Sequence, residues 1–467
     1  MSAPASGTAG AAAIAAAVNQ RRTTALAIIE AALARIARHN PILNCFTAVT
    51  GERALATARR VDAAIAAGKS AGPLAGVPFG VKNLFDVAGL TTVAGSKINR
   101  DMAPAARDAP LIERLEGQGA ILVGALNMGE YAYDFTGENI HDGPSRNPHD
   151  VTRMTGGSSG GSGGAVAAGL VALALGSDTN GSIRVPASFC GIFGLKPTYG
   201  RLSRAGTFPF VSSFDHLGPL ARSTEDLALA YDAMQGADPA DPVQAARPYE
   251  PSCQGLHNGI AGLRLAIAGG YFEEGRSAAA SAAMSQVARA LGATRIIHLP
   301  EVARARAAAY VITAAEGSAL HLERLRKRAG EFDPAVRDRL LAGAMIPAGA
   351  VIRAQKLRRW YQRQVLTLFQ ECDIILAPAT PCTAPKLGDT LLDLGTQKVP
   401  LRPNIGLFTQ PFSFVGLPVV TVPVQLAPLP IGVQIVAPPW REDLALRVAH
   451  HLEHSGVVHA QALAAYS

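Results

Sequence analysis

Two glycine- and serine-rich blocks set around a short apolar run constrain this chain more than any other feature. The first is Thr155-Gly156-Gly157-Ser158-Ser159-Gly160-Gly161-Ser162-Gly163-Gly164, and the second is Gly176-Ser177-Asp178-Thr179-Asn180-Gly181-Ser182, followed by Ile183-Arg184. A Gly/Ser run is ordinarily a flexible linker. Here it sits between a turn-rich loop and an apolar helix–strand pair, where a floppy spacer would interrupt the core, so an ordered loop is expected. A phosphate cradle is discounted because no lysine follows the glycines in the P-loop arrangement. Residues 156–160 also satisfy G-x-S-x-G, but that nucleophile elbow needs an apolar strand directly before it. Residues 149–154 are mostly polar, and no strand is expected there.

The remaining chain reads as mixed α/β. Apolar positions at helical spacing run through residues 10–38 and 53–67, and helical segments are expected at 108–118 and 162–169. Short apolar runs at 121–124, 171–175, 374–378, 419–423 and 432–436 read as buried strands. The Pro- and Gly-punctuated stretch Pro73 to Lys82 reads as strand and tight connection, and residues 236–260 as a surface connection. With 467 residues and 48% apolar content there is ample material for a core. The net charge of +7 comes from scattered basic residues, and the densest cluster, Arg353 to Arg363, reads as a solvated helix face, so nucleic acid is not the expected partner. Five widely spaced cysteines form no CxxC pair, which argues against a disulfide framework and a structural zinc site. No apolar run reaches membrane-spanning length and no signal-peptide order is present, so the expected location is cytoplasmic.

A hydroxyl nucleophile needs a base, a relay and an oxyanion hole. None of the eleven histidines lies inside either serine block, His149 and His216 being the nearest. A lysine serves instead if burial lowers its pKa toward neutrality. Lys82 ends an apolar stretch and is followed by Asn83-Leu84-Phe85, where desolvation is plausible, although a lone lysine usually keeps its amine in solvent.

Gly76-Val77-Pro78-Phe79-Gly80-Val81-Lys82, the first Gly/Ser block and Gly176 to Ala187 together resemble the amidase signature family, with Ser182 lying 24 residues after Ser158 as in that family. Similarity is most specific over about 73–220 and extends more weakly to about residue 440. The resemblance implies one α/β domain over 1–467, a single large domain with a mixed central β-sheet flanked by helices, whose substrate-pocket half lies at about 300–440. It implies Ser182 as nucleophile, Ser158 as bridging serine held by a cis peptide bond, Lys82 as base, and an oxyanion hole from the backbone of Thr179, Asn180, Gly181 and Ser182. No cofactor or metal is called for. Asp178 and Arg184 are expected to fix loop geometry, and Ser159 and Ser162 to satisfy local backbone groups. Asn180 departs from the glycine that many relatives carry there. It either alters the start of the oxyanion loop or places an amide near the substrate.

Two branches of the family separate by chemistry: glutamine-hydrolysing subunits of tRNA amidotransferases, and hydrolases of small ureido acids such as 1-carboxybiuret. The first binds the substrate carboxylate with an arginine, aligned here on Arg358, and the α-amino group with an aspartate. Counting back from Gly416-Leu417-Pro418, the aspartate position holds Gly406. An ammonium left unpaired there is costly, so glutamine fits poorly. The expected reaction is therefore hydrolysis of a linear carboxamide in a small acidic ureido substrate, with release of ammonia. A glutamine-hydrolysing amidotransferase component or a broader aliphatic or aryl amidase is the alternative enzyme reading, and a catalytically silent binding protein the non-enzymatic one. Tyr310 and Met128 are further substrate-pocket candidates, Tyr310 being equally readable as a core tyrosine. The resemblance also implies a small helical partner protein, and a homodimer or heterotetramer.

Overall fold

The computed structural model describes residues 9–394, 397–460 and 462–466. Its framework is an eleven-stranded mixed sheet. Named by their first residues, the strands lie in the order Phe46, Ile121, Pro78, Leu173, His216, Phe193, Val419, Ile431, Ile374, Leu265 and Arg295. Strands from both halves of the chain meet where Phe193–Lys196 pairs antiparallel with Val419–Val424. The central strands are buried on both faces, which is why Pro78–Lys82, Ile121–Leu126, Leu173–Asp178 and Ile431–Val436 read as continuous apolar runs and not as alternating ones.

Most expected elements are present, with altered limits. The first helical stretch is two helices, Ala11–Asn19 and Ala25–Leu43, the second capped by the Thr24 hydroxyl accepting from the Ala27 amide. Residues 171–175 become the longer strand Leu173–Asp178. One expectation fails: Asp150–Met154 is a strand, paired with Arg146–Asn147 in a separate two-stranded ribbon. It is half-exposed and carries polar side chains, so it lacks the apolar signature of a core strand. It does not belong to the main sheet, where a nucleophile elbow would be rooted.

The first Gly/Ser block is ordered and buried. Gly160–Ala167 is a short helix with every residue buried. Glycine in a helix costs roughly 1 kcal/mol relative to alanine, and close packing offsets that cost here. A Cβ on Gly161 would lie 2.4 Å from the Cys45 carbonyl oxygen and 2.5 Å from the Asn127 nitrogen, and one on Gly163 would lie 2.9 Å from Pro186 Cβ. The helix Arg184–Cys190 carries Pro186 in its first turn, where no intrahelical donor is lost, and ends on left-handed Gly191.

The parallel neighbours Pro78–Lys82 and Leu173–Asp178 pair Phe79 with Leu173 and Val81 with Leu175. Lys82 and Ser177-Asp178 therefore emerge side by side at the carboxyl ends of adjacent parallel strands, the usual place for a site in an open α/β sheet. Because the obstructing atoms are backbone, Gly161→Ala is expected to lose about 2–3 kcal/mol of stability. Gly117→Ala, with open space around it, is expected to change little. Denaturant midpoints of the two variants check this, and equal stabilities would show that the glycine packing is not needed.

Candidate active site

Lys82 is fully buried, and its Nζ lies 2.6 Å from Ser158 Oγ and 2.8 Å from Ser177 Oγ. Burial pushes the ammonium down to about 7, against the opposing pull of Asp178, Asp215 and Asp134. A large fraction of this amine is therefore neutral near pH 7, unlike an exposed lysine. Ser158 follows a cis peptide bond from Gly157. Its carbonyl accepts from the Gly129 amide, and the two residues before it are held by the Phe135 and Thr136 carbonyls. The sequence alone does not single out Ser177, although it lies inside the second block. Its position one residue before the end of a strand parallel to that of Lys82 is what makes it a lysine partner.

The loop Thr179–Ser182 is clamped from several directions. Asp178 is buried, and although burial raises its pKa, the Arg184 guanidinium beside it holds the carboxyl well below the usual range. Arg184 donates to both Asp178 oxygens, at 2.9 Å each, and to Gln434 Oε1 and the Thr409 carbonyl. Asp178 Oδ2 also accepts from the Ile183 and Arg184 amides, which fixes the start of the helix that follows Ser182. Thr179 Oγ1 donates to Asp215, and Thr409 Oγ1 donates to the Asn180 carbonyl. Gly181 has φ of 143°, and the space a Cβ would need is taken by Thr409 Oγ1 at 2.2 Å. The backbone amides of Asn180, Gly181 and Ser182 donate to no acceptor among the described residues. They are thus available to a developing negative charge.

Ser182, Thr179 and Asn180 border a cavity of about 230 Å³. Tyr133, Phe135 and Phe210 give it an apolar wall, and Tyr310, Arg339 and Arg402 a polar one. Arg402 is committed to Asp134 and Glu138, at 2.9 Å each. Arg339 stacks 3.9 Å from the Tyr133 ring centroid and donates to the Ala335 and Tyr133 carbonyls, with no carboxylate partner among the described residues. A second cavity of about 260 Å³ shares Ala132 and Phe210 with the first and reaches Ser177 and Asp215.

Several expected pocket residues lie elsewhere. Arg358 is not at the cavity: its guanidinium donates to the Phe414 and Ser213 carbonyls and lies over the Phe214 ring. The cation at the cavity without a carboxylate partner among the described residues is Arg339, on the helix Pro334–Ala344. Met128 is packed in the hydrophobic core and does not border the cavity. Gly406 is buried just behind the wall, where a Cβ would strike the Phe135 ring at 2.5 Å. Tyr310 does border the cavity, its hydroxyl donating to the Pro403 carbonyl at 2.5 Å. His149 and His216 border neither cavity, and their ring nitrogens contact the carbonyls of Cys190 and of Phe214 and Asp178. Ser159 and Ser162 donate to the Ser177 and Leu175 carbonyls.

Beside this buried lysine with two serine hydroxyls on its amine, and a third serine lining a cavity, stands a match to a known family: the amidase family profile matches residues 27–446. The chain belongs to the amidase family. It is 53% identical over 439 residues to AtzE, a 1-carboxybiuret hydrolase subunit of Pseudomonas sp. (strain ADP), covering 93% of this chain and 96% of that protein. It is 41% identical over 467 residues to the A component of the glutamyl-tRNA(Gln) amidotransferase of Azotobacter vinelandii (strain DJ), covering 94% and 95%. Among solved structures, one described as a vestigial protein complex that reveals the origins of an s-triazine catabolic enzyme superposes with a TM-score of 0.96 at 51% identity, covering 97% of this chain and 100% of that one. The chain is accordingly an amide-hydrolysing enzyme with the amidase signature fold. No helix among the described residues is long and apolar enough to cross a membrane.

The buried amine is directly measurable. With ¹³Cε-labelled lysine, NMR is expected to show a resonance titrating near pH 7 that disappears in Lys82→Met, the amine being protonated below that pH and neutral above it. A Lys82 midpoint near that of exposed lysines would contradict the burial account.

Proposed function

We propose that this amidase hydrolyses a small, carboxylated ureido amide such as 1-carboxybiuret, with Ser182 as nucleophile, Ser158 as relay and Lys82 as base. The observation that carries the chemistry is the desolvated Lys82 amine in contact with Ser158. Neutral Lys82 takes the Ser158 hydroxyl proton as Ser158 takes that of Ser182, and Ser182 Oγ adds to the carboxamide carbon. The negative charge formed on the carbonyl oxygen is met by the amides of Asn180, Gly181 and Ser182, which donate to no acceptor among the described residues. Collapse of the adduct breaks the C–N bond, and the proton returns through Ser158 to the departing nitrogen, giving ammonia and an acyl-Ser182 ester. Water adds by the same relay and releases the acid.

The substrate class rests on the cavity. Arg339 supplies a guanidinium without an anion of its own among the described residues, suited to a carboxylate. None of the described residues lining the cavity supplies a free carboxylate for an α-ammonium. Asp134 is paired with Arg402 and accepts from Thr136 and Gly137, and the Phe135 ring occupies the space beside Gly406. Glutamine would leave its ammonium unpaired, which separates this reading from the amidotransferase alternative. The similarity to AtzE favours the same substrate class. A cytoplasmic enzyme working with a small helical partner, as a homodimer or heterotetramer, completes the proposal, and the complex described for the s-triazine relative supports a partner.

Ammonia release by the purified chain, or by the chain with its partner, tests the reading. Turnover of 1-carboxybiuret without glutamine turnover is expected, and Ser182→Ala should abolish it. Arg339→Met is expected to raise KM for the carboxylated amide about tenfold or more while shifting KM for a short neutral amide less than about threefold. Efficient hydrolysis of glutamine, or an unchanged KM in Arg339→Met, would overturn the substrate assignment.

A further inference from the structure

Asn180 lies in the loop that ends at Ser182, borders the same cavity, and is only 6% exposed. Its Nδ2 donates to Thr313 Oγ1 at 3.0 Å, which ties the side chain to the long helix Val302–Arg328. Its backbone carbonyl is held by Thr409 Oγ1 at 2.7 Å, and the next residue is fixed in a glycine-only conformation against Thr409. Anchored at both ends, the amide has little freedom to turn. Its other polar atom, Oδ1, is buried and has no hydrogen-bond partner among the described residues. Buried acceptors are rarely left unpaired, because desolvation without a donor is costly. One carried by a residue that lines a ligand cavity is explained when the ligand supplies the donor.

We infer that Asn180 Oδ1 accepts a hydrogen bond from the substrate N–H adjacent to the scissile carbonyl, and so selects ureido amides over carbon-chain amides. This rests on the proposed substrate class and adds a residue that sets it. In a ureido compound, the atom on the far side of the carboxamide carbon is nitrogen and carries a hydrogen. In glutamine and other aliphatic amides the same position is a methylene. A fixed carbonyl acceptor pairs with the N–H and is left unpaired by the methylene, a discrimination in which the missing donor counts for more than the shape. A glycine at this position would offer no such acceptor. Thr313 orients the amide by accepting from Nδ2, and Oδ1 is left without a partner among the described residues.

Ureidoacetate and succinamate separate the possibilities. They share a carboxylate and a terminal carboxamide, and differ in having N–H or CH₂ next to the amide carbon. Binding is measured by calorimetry on the Ser182→Ala protein, where no turnover intervenes. Ureidoacetate is expected to bind about tenfold more tightly than succinamate, and Asn180→Gly should remove that preference by weakening ureidoacetate alone. Thr313→Val, which keeps Asn180 but frees its amide, should reduce the preference in the same direction while circular dichroism shows an intact fold. If Asn180→Gly weakens both ligands equally, the amide serves the common carboxamide NH₂ and the inference is wrong. Equal binding of the two ligands before substitution also overturns it while leaving the carboxylated-amide reading in place. If neither ligand binds, that reading falls and this inference with it.

Discussion

Burial of one lysine amine organises this molecule. Lys82 sits at the carboxyl end of a strand covered on both faces, with its side chain closed off from solvent. The fold answers with two hydroxyls, Ser158 and Ser177, and with carboxylates held close enough to pull the pKa back only part of the way. An amine poised near neutrality is a competent base at the pH where a free lysine is not. The surrounding features keep that amine dry and its partners fixed. The glycine helix Gly160–Ala167 lets the chain after Ser158 pass close to neighbouring backbone, and the Asp178–Arg184 pair locks the turn that carries Ser182.

The same economy shapes the cavity. Its charges are arranged so that Arg402 is neutralised by Asp134 and Glu138, while Arg339 has no carboxylate among the described residues. A guanidinium held by carbonyls and an aromatic face, with Asp134 acting on it without a direct ion pair, keeps its positive charge available to a ligand, and burial strengthens that interaction. Tyr133, Phe135, Phe210 and Pro403 give the lining an apolar contact area beside these charges. Thr179, Thr313 and Gln410 also line the cavity, and Asn180 Oδ1 is buried with no hydrogen-bond partner among the described residues.

The sequence is most legible where chemistry and local structure coincide. Ser158 and Ser182 stand out because each sits in a block whose glycines and serines serve one turn or one close approach, and Lys82 because it ends an apolar, glycine-punctuated run. Arg339 does not, because the second half of the chain carries Arg337, Arg339, Arg353, Arg358 and Arg359 on helices with no periodicity that says which one faces the cavity. Family resemblance points to Arg358, which instead ties its helix to the Phe414 and Ser213 carbonyls. Gly406 shows in the sequence that a carboxylate is missing at that position, but the ring of Phe135 that fills the space comes from a segment far away along the chain, a contact only the folded molecule reveals. The ribbon strand Asp150–Met154 escapes a reading of composition for a related reason: its pairing, not its residue types, makes it a strand.

In the proposed mechanism Ser182 is the activated hydroxyl and the Lys82 amine activates it. The most direct measurement is the rate and position of labelling by a small fluorophosphonate, read by peptide mass spectrometry across pH. A single adduct on Ser182 is expected, formed at a rate that rises through about pH 7 as Lys82 loses its proton and collapses in Lys82→Met. An adduct on Ser158 or Ser177, or labelling of Ser182 that ignores both pH and the lysine, would contradict it.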